Sequence, residues 1–525
     1  MPPTSPRPAL RPEKPVPRTV AELGQSIGAE LPDSEGRTVK ITGLTHDSRQ
    51  VRPGDLYAAM IGENTHGAAF VQQAADAGAV AILTDPLGRE RSKLAGLPVL
   101  VVNDARASLG AVAAAVYGNP AAAMLTLGVT GTNGKTTTAF MLESGLRAAG
   151  RSTGLFGTVA TRIGDEALPS VRTTPEAPDL HALLAVMKER GVDAVAMEVS
   201  SHALDMHRVD GVVYDAALFT NLSHDHLDFH FTLEAYFQAK ALLFTPAHAK
   251  AGVVNLDDPY GRRLTKNRLI PITTFSAGGD EAADWRAVAV KLGPAGSTFT
   301  VQGPKGAGAT ASVSLPGAFN VANALGAIVA LEVAGIPLDD AVRGVGECPG
   351  VPGRMEKVDA GQDFLAVVDY AHTPDAIETV LGALRPVTKG RLIVVLGAGG
   401  DRDKTKRPLM GEVAARLGDL VVLTDDNPRS EDPKEILAAV KAGADAVDGA
   451  ERAEILVEHD RARAIALAVA NARAGDAVVV AGKGHEQGQE AQGAIKPFDD
   501  REVLGDALLN AEPARPSGSS AQGKK

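Results

Sequence analysis

Short apolar runs alternate with amphipathic stretches along most of the chain, and the order in which they come predicts an α/β protein. Met124 to Val129 alternates and is bounded by Pro120 and Gly131, which predicts a strand. Thr136 to Ala149 sets Phe140, Met141, Leu142 and Leu146 on one side, which predicts a helix closed by Gly150. Before this pair, strands are expected at Val39–Leu44, Asp55–Ala59, Ala79–Thr84 and Val99–Val102, with a helix over Ala68–Ala77. After it come buried-type strands ending at Glu198 and Thr220, a helix from Thr232 to Phe244, a Gly- and Thr-rich meander from Gly293 to Leu315, and a helix from there to Ala334. Past residue 350 the pattern settles into βα repeats with strands at Phe364–Asp369, Arg391–Leu396, Asp419–Leu423 and Asp476–Ala481, hence a mostly parallel sheet. Tyr117–Pro120 and Pro349–Gly353 read as hinges, giving units at 19–118, 119–350 and 351–510. Residues 1–18, with seven prolines, and 511–525 carry no periodicity and are expected to be disordered.

With 525 residues there is core enough for several domains, and 53 basic against 64 acidic residues give a net charge of −11. That balance argues against a nucleic-acid binder and against attachment to anionic membrane. The lone Cys348 excludes an internal disulfide and fits a reducing compartment. No apolar run is long enough to span a bilayer, and the N-terminus lacks a signal-peptide core, so a cytoplasmic location is expected.

Candidate chemistry gathers where strands end. Gly131-Thr132-Asn133-Gly134-Lys135-Thr136-Thr137 lies between a strand and a helix: freed backbone N–H groups there face anionic oxygens, Lys135 adds a cation, and the Thr136 hydroxyl suits a phosphate-bound Mg²⁺. The strict phosphate-loop pattern fails at Val129, where a glycine is wanted. Glu198 closes its strand, and Asn221 to His230 supplies His224, Asp225, His226, Asp228 and His230, which reads as a transition-metal site, as the surroundings of Mg²⁺ on nucleotide phosphates, or as a polar loop. Lys240 falls on the same helix face as Leu233, Tyr236 and Phe237, and helix geometry alone favours a snorkelling side chain. Asn320 and Asn323 share a face and could read a base edge or cap the helix. His46-Asp47-Ser48-Arg49 could hold a diphosphate or be a capped turn. In the last unit, four loops follow the strands on one sheet edge, and Arg402, Arg429, Asp426 and Glu486 on them would suit a zwitterion with more than one carboxylate.

Taken together, Gly-Thr-Asn-Gly-Lys-Thr-Thr (131–137), Glu-Val-Ser-Ser-His (198–202), the run 221–230, Tyr-Phe-Gln-Ala-Lys (236–240) and Pro-Gly-Arg-Met-Glu (352–356) closely resemble the Mur ligases, from about Thr19 to 510. The family's loop also dispenses with the early glycine, which removes the difficulty at Val129. The resemblance implies a three-domain α/β architecture: a small N-terminal UDP-sugar-binding domain, a central P-loop-type ATPase domain and a C-terminal Rossmann-like amino-acid-binding domain. It implies an ATP-dependent amide ligase of peptidoglycan synthesis, a monomer working on small molecules, with Mg²⁺ and a CO₂-derived carbamate on Lys240 in place of the snorkelling cation.

By position, the resemblance assigns Lys135, Glu198, His226 and Lys240 to catalysis, with Thr136, Glu198, His226 and Lys240 about the metal. ATP would meet residues 131–137 with Asn323, Arg354 and Asp369, and the UDP-sugar peptide would meet Ser48, Thr173, Thr174, Ser200 and Arg208. Arg402, Asp426, Asn427, Pro428, Arg429, Gly482 and Glu486 would hold the incoming amino acid.

Within the family the chain is similar to ligases adding the third residue to UDP-N-acetylmuramoyl-L-alanyl-D-glutamate, and Asp-Asn-Pro-Arg (426–429) resembles the version that takes meso-diaminopimelate. Arg429 gives a physical reason, as a bidentate partner for the second carboxylate that lysine and ornithine lack; with lysine it would stand unpaired, a penalty of several kcal/mol. Lysine or ornithine as the amine remains an alternative, as does a folylpolyglutamate-type ligase, which should lack the first domain and the Asp-Asn-Pro-Arg run. A nucleotide-regulated binding module without chemistry is the reading from another class.

Overall fold

The computed structural model describes residues 10–510 except 63, 171 and 267. The described residues divide into two compact units, 10–288 with 300–311 and 322–348, and 289–299 with 312–321 and 349–510.

The first unit opens with a parallel sheet of Gly43–Thr45, Asp55–Ala59, Ala81–Thr84 and Val99–Val101 in that spatial order. Leu44, Leu56, Leu83 and Leu100 face Leu109, Val112 and Val116 of the helix Ala105–Val116, whose first turn is capped by Asp104. The strand expected over Val39–Leu44 is two: Lys40–Ile41 pairs antiparallel with Arg18–Thr19, and after Thr42 the chain changes partner. Residues 10–18 are not structureless as expected: Arg11 donates to Asp55, and the backbone N–H groups of Glu13 and Lys14 donate to Glu189 at 2.9 and 2.8 Å. The remainder of both expected tails lies outside the described residues.

The second sheet of this unit has a parallel core in the order Thr153–Phe156, Ala194–Glu198, Leu125–Thr130, Ala216–Phe219, Gly252–Asn255, Ile272–Ser276. The chain leaves Leu125–Thr130 toward one side of the sheet and later returns to the other, so this strand stands where the winding reverses and its carboxyl end faces a crevice. The inner strands are buried on both faces, and Ala194–Glu198 and Ala216–Phe219 read as near-continuous apolar runs. A meander follows, Trp285–Gly293, Gly296–Gln302 and Gly308–Val313, starting earlier than glycine content indicates.

The second unit holds a sheet in the order Glu356–Lys357, Leu365–Asp369, Ala477–Ala481, Leu392–Leu396, Leu420–Leu423, Glu454–Val457, parallel except at its first strand. All four expected strands are present, so their following loops do lie on one edge. The edge strand Glu454–Val457 escapes the pattern because its two ends are a glutamate and a half-exposed valine. Beneath the sheet Arg461 and Asp500 form a fully buried bidentate ion pair, with Arg461 also donating to the Ala481 carbonyl.

Candidate active site

At the carboxyl end of Leu125–Thr130 the chain turns through Gly131 (φ 154) and Gly134 (φ 87) into the helix Lys135–Ala148. Gly134 takes a left-handed conformation, and a Cβ there would strike the Asn323 amide oxygen, so the sequence-predicted Asn323 lies against the loop. Asn221 and Thr220, at the end of the neighbouring strand, hold the loop's shape: Asn221 Oδ1 accepts from the Asn133 N–H at 2.9 Å, and Thr220 donates to the Asn133 carbonyl at 2.6 Å. Asn320 instead donates to the Pro316 carbonyl at 2.8 Å, a local helix-start contact.

Thr136 Oγ1 donates to Glu198 Oε2 at 3.1 Å. Glu198, fully buried, also accepts from the Thr158 N–H at 2.7 Å and the Thr158 hydroxyl at 3.1 Å, and that hydroxyl lies 3.0 Å from Thr173. Thr174 donates to the Glu198 carbonyl at 2.8 Å and accepts from the Ser200 N–H at 3.2 Å. Thr136, Thr173, Thr174, Glu198 and Ser200 therefore form one cluster, and Thr158, which no local signal marks, joins them. Arg208 is apart, its Nε 2.9 Å from Glu176, a carboxylate that also meets Arg172 at 2.9 Å and Arg106 at 3.5 Å. Ser48 lies in the turn after the strand Gly43–Thr45 and donates to Gln73 at 3.1 Å.

Lys240 does not snorkel. It is 1% exposed, and its Nζ donates to the Gly131 carbonyl at 2.7 Å while lying 4.5 Å from the Tyr236 ring centre. Lys135 Nζ donates to the same carbonyl at 3.0 Å and to that of Thr132 at 2.8 Å. Two amines on one oxygen cannot both be cations at low cost: burial first, then the Lys135 charge, holds Lys240 well below the usual lysine range. His226, left-handed at φ 54, packs edge-on to His202 at 4.8 Å between ring centres, and burial, partly offset by Asp225, pushes its pKa down to about 4. The ring is then uncharged at neutral pH, with Nε2 3.4 Å from Asp225 Oδ2. Among the described residues no group of three His, Cys, Asp or Glu side chains could hold a metal by itself. The oxygen donors Thr136 and Glu198 beside a phosphate loop fit a hard cation shared with nucleotide phosphates.

In the second unit Asp369, buried at the end of its strand, accepts from the Met355 N–H at 2.7 Å and the Ala371 N–H at 2.8 Å, and burial raises its pKa despite the Arg354 charge. Arg354 stacks on Tyr370 at 4.4 Å, and the charges of Glu486, Arg354, Asp426 and Arg402 all reach that phenol. Arg402 is exposed, and its NH1 donates to the carbonyl of its neighbour Asp401 at 3.0 Å. Asn427 donates to Glu486 at 2.8 Å, and a Cβ on Gly482 (φ 116) would come within 2.6 Å of Asp426 Oδ2. Arg429, left-handed at φ 53, is not unpaired: NH1 donates to the Gly400 carbonyl at 2.6 Å, and Nε lies 3.4 Å from Glu490. Its backbone is clamped by the hairpin Gly488–Ala491/Ala494–Pro497, with N–H to the Glu490 carbonyl at 3.0 Å and its own carbonyl accepting from Gln492 at 2.6 Å. That brace was not legible from sequence.

Residues 40–117 match the Mur ligase family catalytic domain, 129–331 the Mur ligase middle domain and 353–484 the Mur ligase glutamate ligase domain. A relative from Streptomyces avermitilis, named UDP-N-acetylmuramoyl-L-alanyl-D-glutamate–2,6-diaminopimelate ligase, is 60% identical over 510 residues, 97% of this chain and 99% of its own. The chain belongs to the Mur ligase family. Mur ligases are ATP-dependent amide-forming enzymes, and the three-domain architecture expected from the motifs is that of the family. A solved ligase of the same name as the Streptomyces protein is 33% identical, with a TM-score of 0.68 over 94% of this chain and 99% of its own. The MurF ligase of Thermotoga maritima, solved in complex with ADP, shares the Mur ligase fold at 19% identity and a TM-score of 0.58, covering 89% of this chain and 96% of that one. No helix among the described residues is long and apolar enough to cross a membrane.

Proposed function

We propose that this Mur ligase joins meso-diaminopimelate to the side-chain carboxylate of the D-glutamyl residue of UDP-N-acetylmuramoyl-L-alanyl-D-glutamate, as a cytoplasmic monomer. ATP would phosphorylate that carboxylate; the amine would attack the acyl phosphate, release phosphate and form the amide. The observation that carries the reading is a pair of opposed anchors in the second unit: Arg429 for a carboxylate, and Glu486, whose Oε1 makes no hydrogen bond among the described residues, for an ammonium. The names of the Streptomyces relative and of the solved ligase support it.

The geometry supports the following catalytic roles. The loop N–H groups and Lys135 bind and orient the nucleotide phosphates; Thr136 and Glu198, with neutral His226, would hold Mg²⁺, which neutralises charge developing on the transferred phosphoryl group. Lys240 in its neutral form is the state that adds CO₂, and a carbamate there would turn two crowded amines into a cation beside an anion and contribute to the cation's environment. Asn323, against the loop, would also meet the nucleotide, and Arg354 and Asp369 keep the ATP-binding roles that the family resemblance gives them. Thr173, Thr174, Ser200, Arg208 and Ser48 would take the UDP-sugar peptide.

L-Lysine as the amine is the second reading, and one observation favours it: Arg429 keeps the Gly400 carbonyl and Glu490 when no second carboxylate arrives. A folate-type ligase is opposed by the match of residues 40–117 to the first Mur ligase domain. The test is amine-dependent phosphate release with ATP, Mg²⁺ and the UDP-dipeptide, comparing meso-diaminopimelate, L-lysine and no amine. Release and a tripeptide mass with diaminopimelate alone support the proposal, and equal release with lysine would sink its choice of amine.

A further inference from the structure

The loop after Ala477–Ala481 buries a charge that the functional reading leaves unused. Gly482 (φ 116) and Gly484 (φ 54) both take left-handed backbone, and between them Lys483 folds inward with its side chain 0% exposed. The fit is close on both sides: a Cβ on Gly484 would lie 2.8 Å from the Gly353 carbonyl oxygen and from Tyr370 Cβ. Lys483 Nζ donates to Asn427 Oδ1 at 2.9 Å and to Glu486 Oε2 at 3.1 Å. Asn427 Oδ1 also accepts from the Glu490 N–H at 3.0 Å, which fixes the amide so that its Nδ2 donates to Glu486 Oε2 at 2.8 Å. Both N–H donors thus converge on one oxygen of Glu486, whose side chain is 32% exposed, and turn the other toward solvent.

We propose that Lys483 is a positioning residue for the amine-recognising carboxylate: it ties down Glu486 Oε2 and the Asn427 amide so that Oε1 alone is presented to the incoming ammonium. This rests on the reading of Glu486 as the amine anchor. Lys483 cannot touch the substrate from beneath the loop. Its work is to hold Glu486 in one direction and to couple that carboxylate to Asn427, two residues before Arg429 on the Asp-Asn-Pro-Arg run. Without the ammonium, Glu486 keeps a single neutral donor, the Asn427 amide, and its half-buried carboxylate is free to choose among rotamers. A lysine present only to support the fold would carry none of this selectivity.

The experiment uses the full-length enzyme and Lys483→Met, which keeps the apolar stem, with Lys483→Gln, which restores an uncharged donor. Loss of a charge-assisted contact that orients the anchor is expected to raise KM for diaminopimelate about tenfold or more in Lys483→Met, with KM for ATP and for the UDP-dipeptide within about twofold of wild type. kcat at saturating diaminopimelate should stay within about twofold of wild type in Lys483→Met, so that the loss falls on amine recognition and not on the chemical step. Lys483→Gln, which can still donate to Glu486, should recover part of the KM loss. An unchanged KM for the amine, or equal increases for all three substrates alongside a lowered Tm, would overturn the proposal and leave a structural lysine. Should wild type prove to use L-lysine instead, the choice of diaminopimelate falls, while the same split read on lysine still decides the role of Lys483.

Discussion

Replacing Arg429 by methionine tests how the amine is chosen. Arg429 is 21% exposed, and without ligand its NH1 holds the Gly400 carbonyl at 2.6 Å while Nε stands 3.4 Å from Glu490. The discrimination against lysine is therefore not that of an orphaned buried guanidinium, which would reach several kcal/mol; it is the difference between a substrate carboxylate and the partners already present. A charge-assisted pair in such a half-open place contributes about 1.5–3 kcal/mol, or roughly 10- to 150-fold in kcat/KM. Any non-glycine residue at 429 meets the same left-handed backbone, φ 53, so the substitution isolates the side chain. In steady-state phosphate release, Arg429→Met should lower kcat/KM for diaminopimelate by about that factor and leave the weak rate with L-lysine within about twofold. Equal losses with both amines would show Arg429 to be structural, and an unaffected rate with diaminopimelate would refute the carboxylate contact altogether.

Three further outcomes are expected. Gly134→Ala, at φ 87 and against Asn323, should weaken ATP binding about tenfold or more in a fluorescent-nucleotide titration with the fold intact by circular dichroism. His181 is fully buried and its pKa is pushed down to about 4 by burial, so the unfolded chain binds a proton near pH 6.5 that the folded chain refuses; stability is intact above that pH and falls by about 3 kcal/mol on acidification toward 4, a loss that His181→Leu should remove in pH-dependent urea melts. Arg461→Met strands the buried Asp500 carboxylate and should lower the urea-unfolding free energy by about 3–5 kcal/mol, whereas joint replacement of both partners by apolar residues should be far milder.

The phosphate loop was legible because its signals are local: a strand, a glycine turn and a helix lie within one stretch, and their contacts fall where the spacing requires. The position of Lys240 on an apolar helix face was legible for the same reason. Its state was not, because the carbonyl it reaches belongs to Gly131, far away in sequence, and its pKa answers to Lys135. The break at Thr42 stayed hidden since both halves share one strand-like period and differ only in partner. Thr158 carries no motif and becomes visible only once the strand before it, Thr153–Phe156, lies beside Ala194–Glu198. Lys483 lies in one of the four loops on the sheet edge, and its inward turn was not legible because it depends on two left-handed glycines and on Asn427, distant in sequence.

The most direct test of the account is the fate of the acceptor's oxygen. UDP-N-acetylmuramoyl-L-Ala-D-Glu labelled with ¹⁸O in the D-glutamyl side-chain carboxylate is turned over with ATP, Mg²⁺ and meso-diaminopimelate, and the released phosphate is analysed by mass. An acyl phosphate intermediate transfers one ¹⁸O atom to each phosphate as the amide forms. Unlabelled phosphate released alongside the tripeptide, or phosphate released without any amide product, would contradict the coupling of ATP cleavage to activation of that carboxylate.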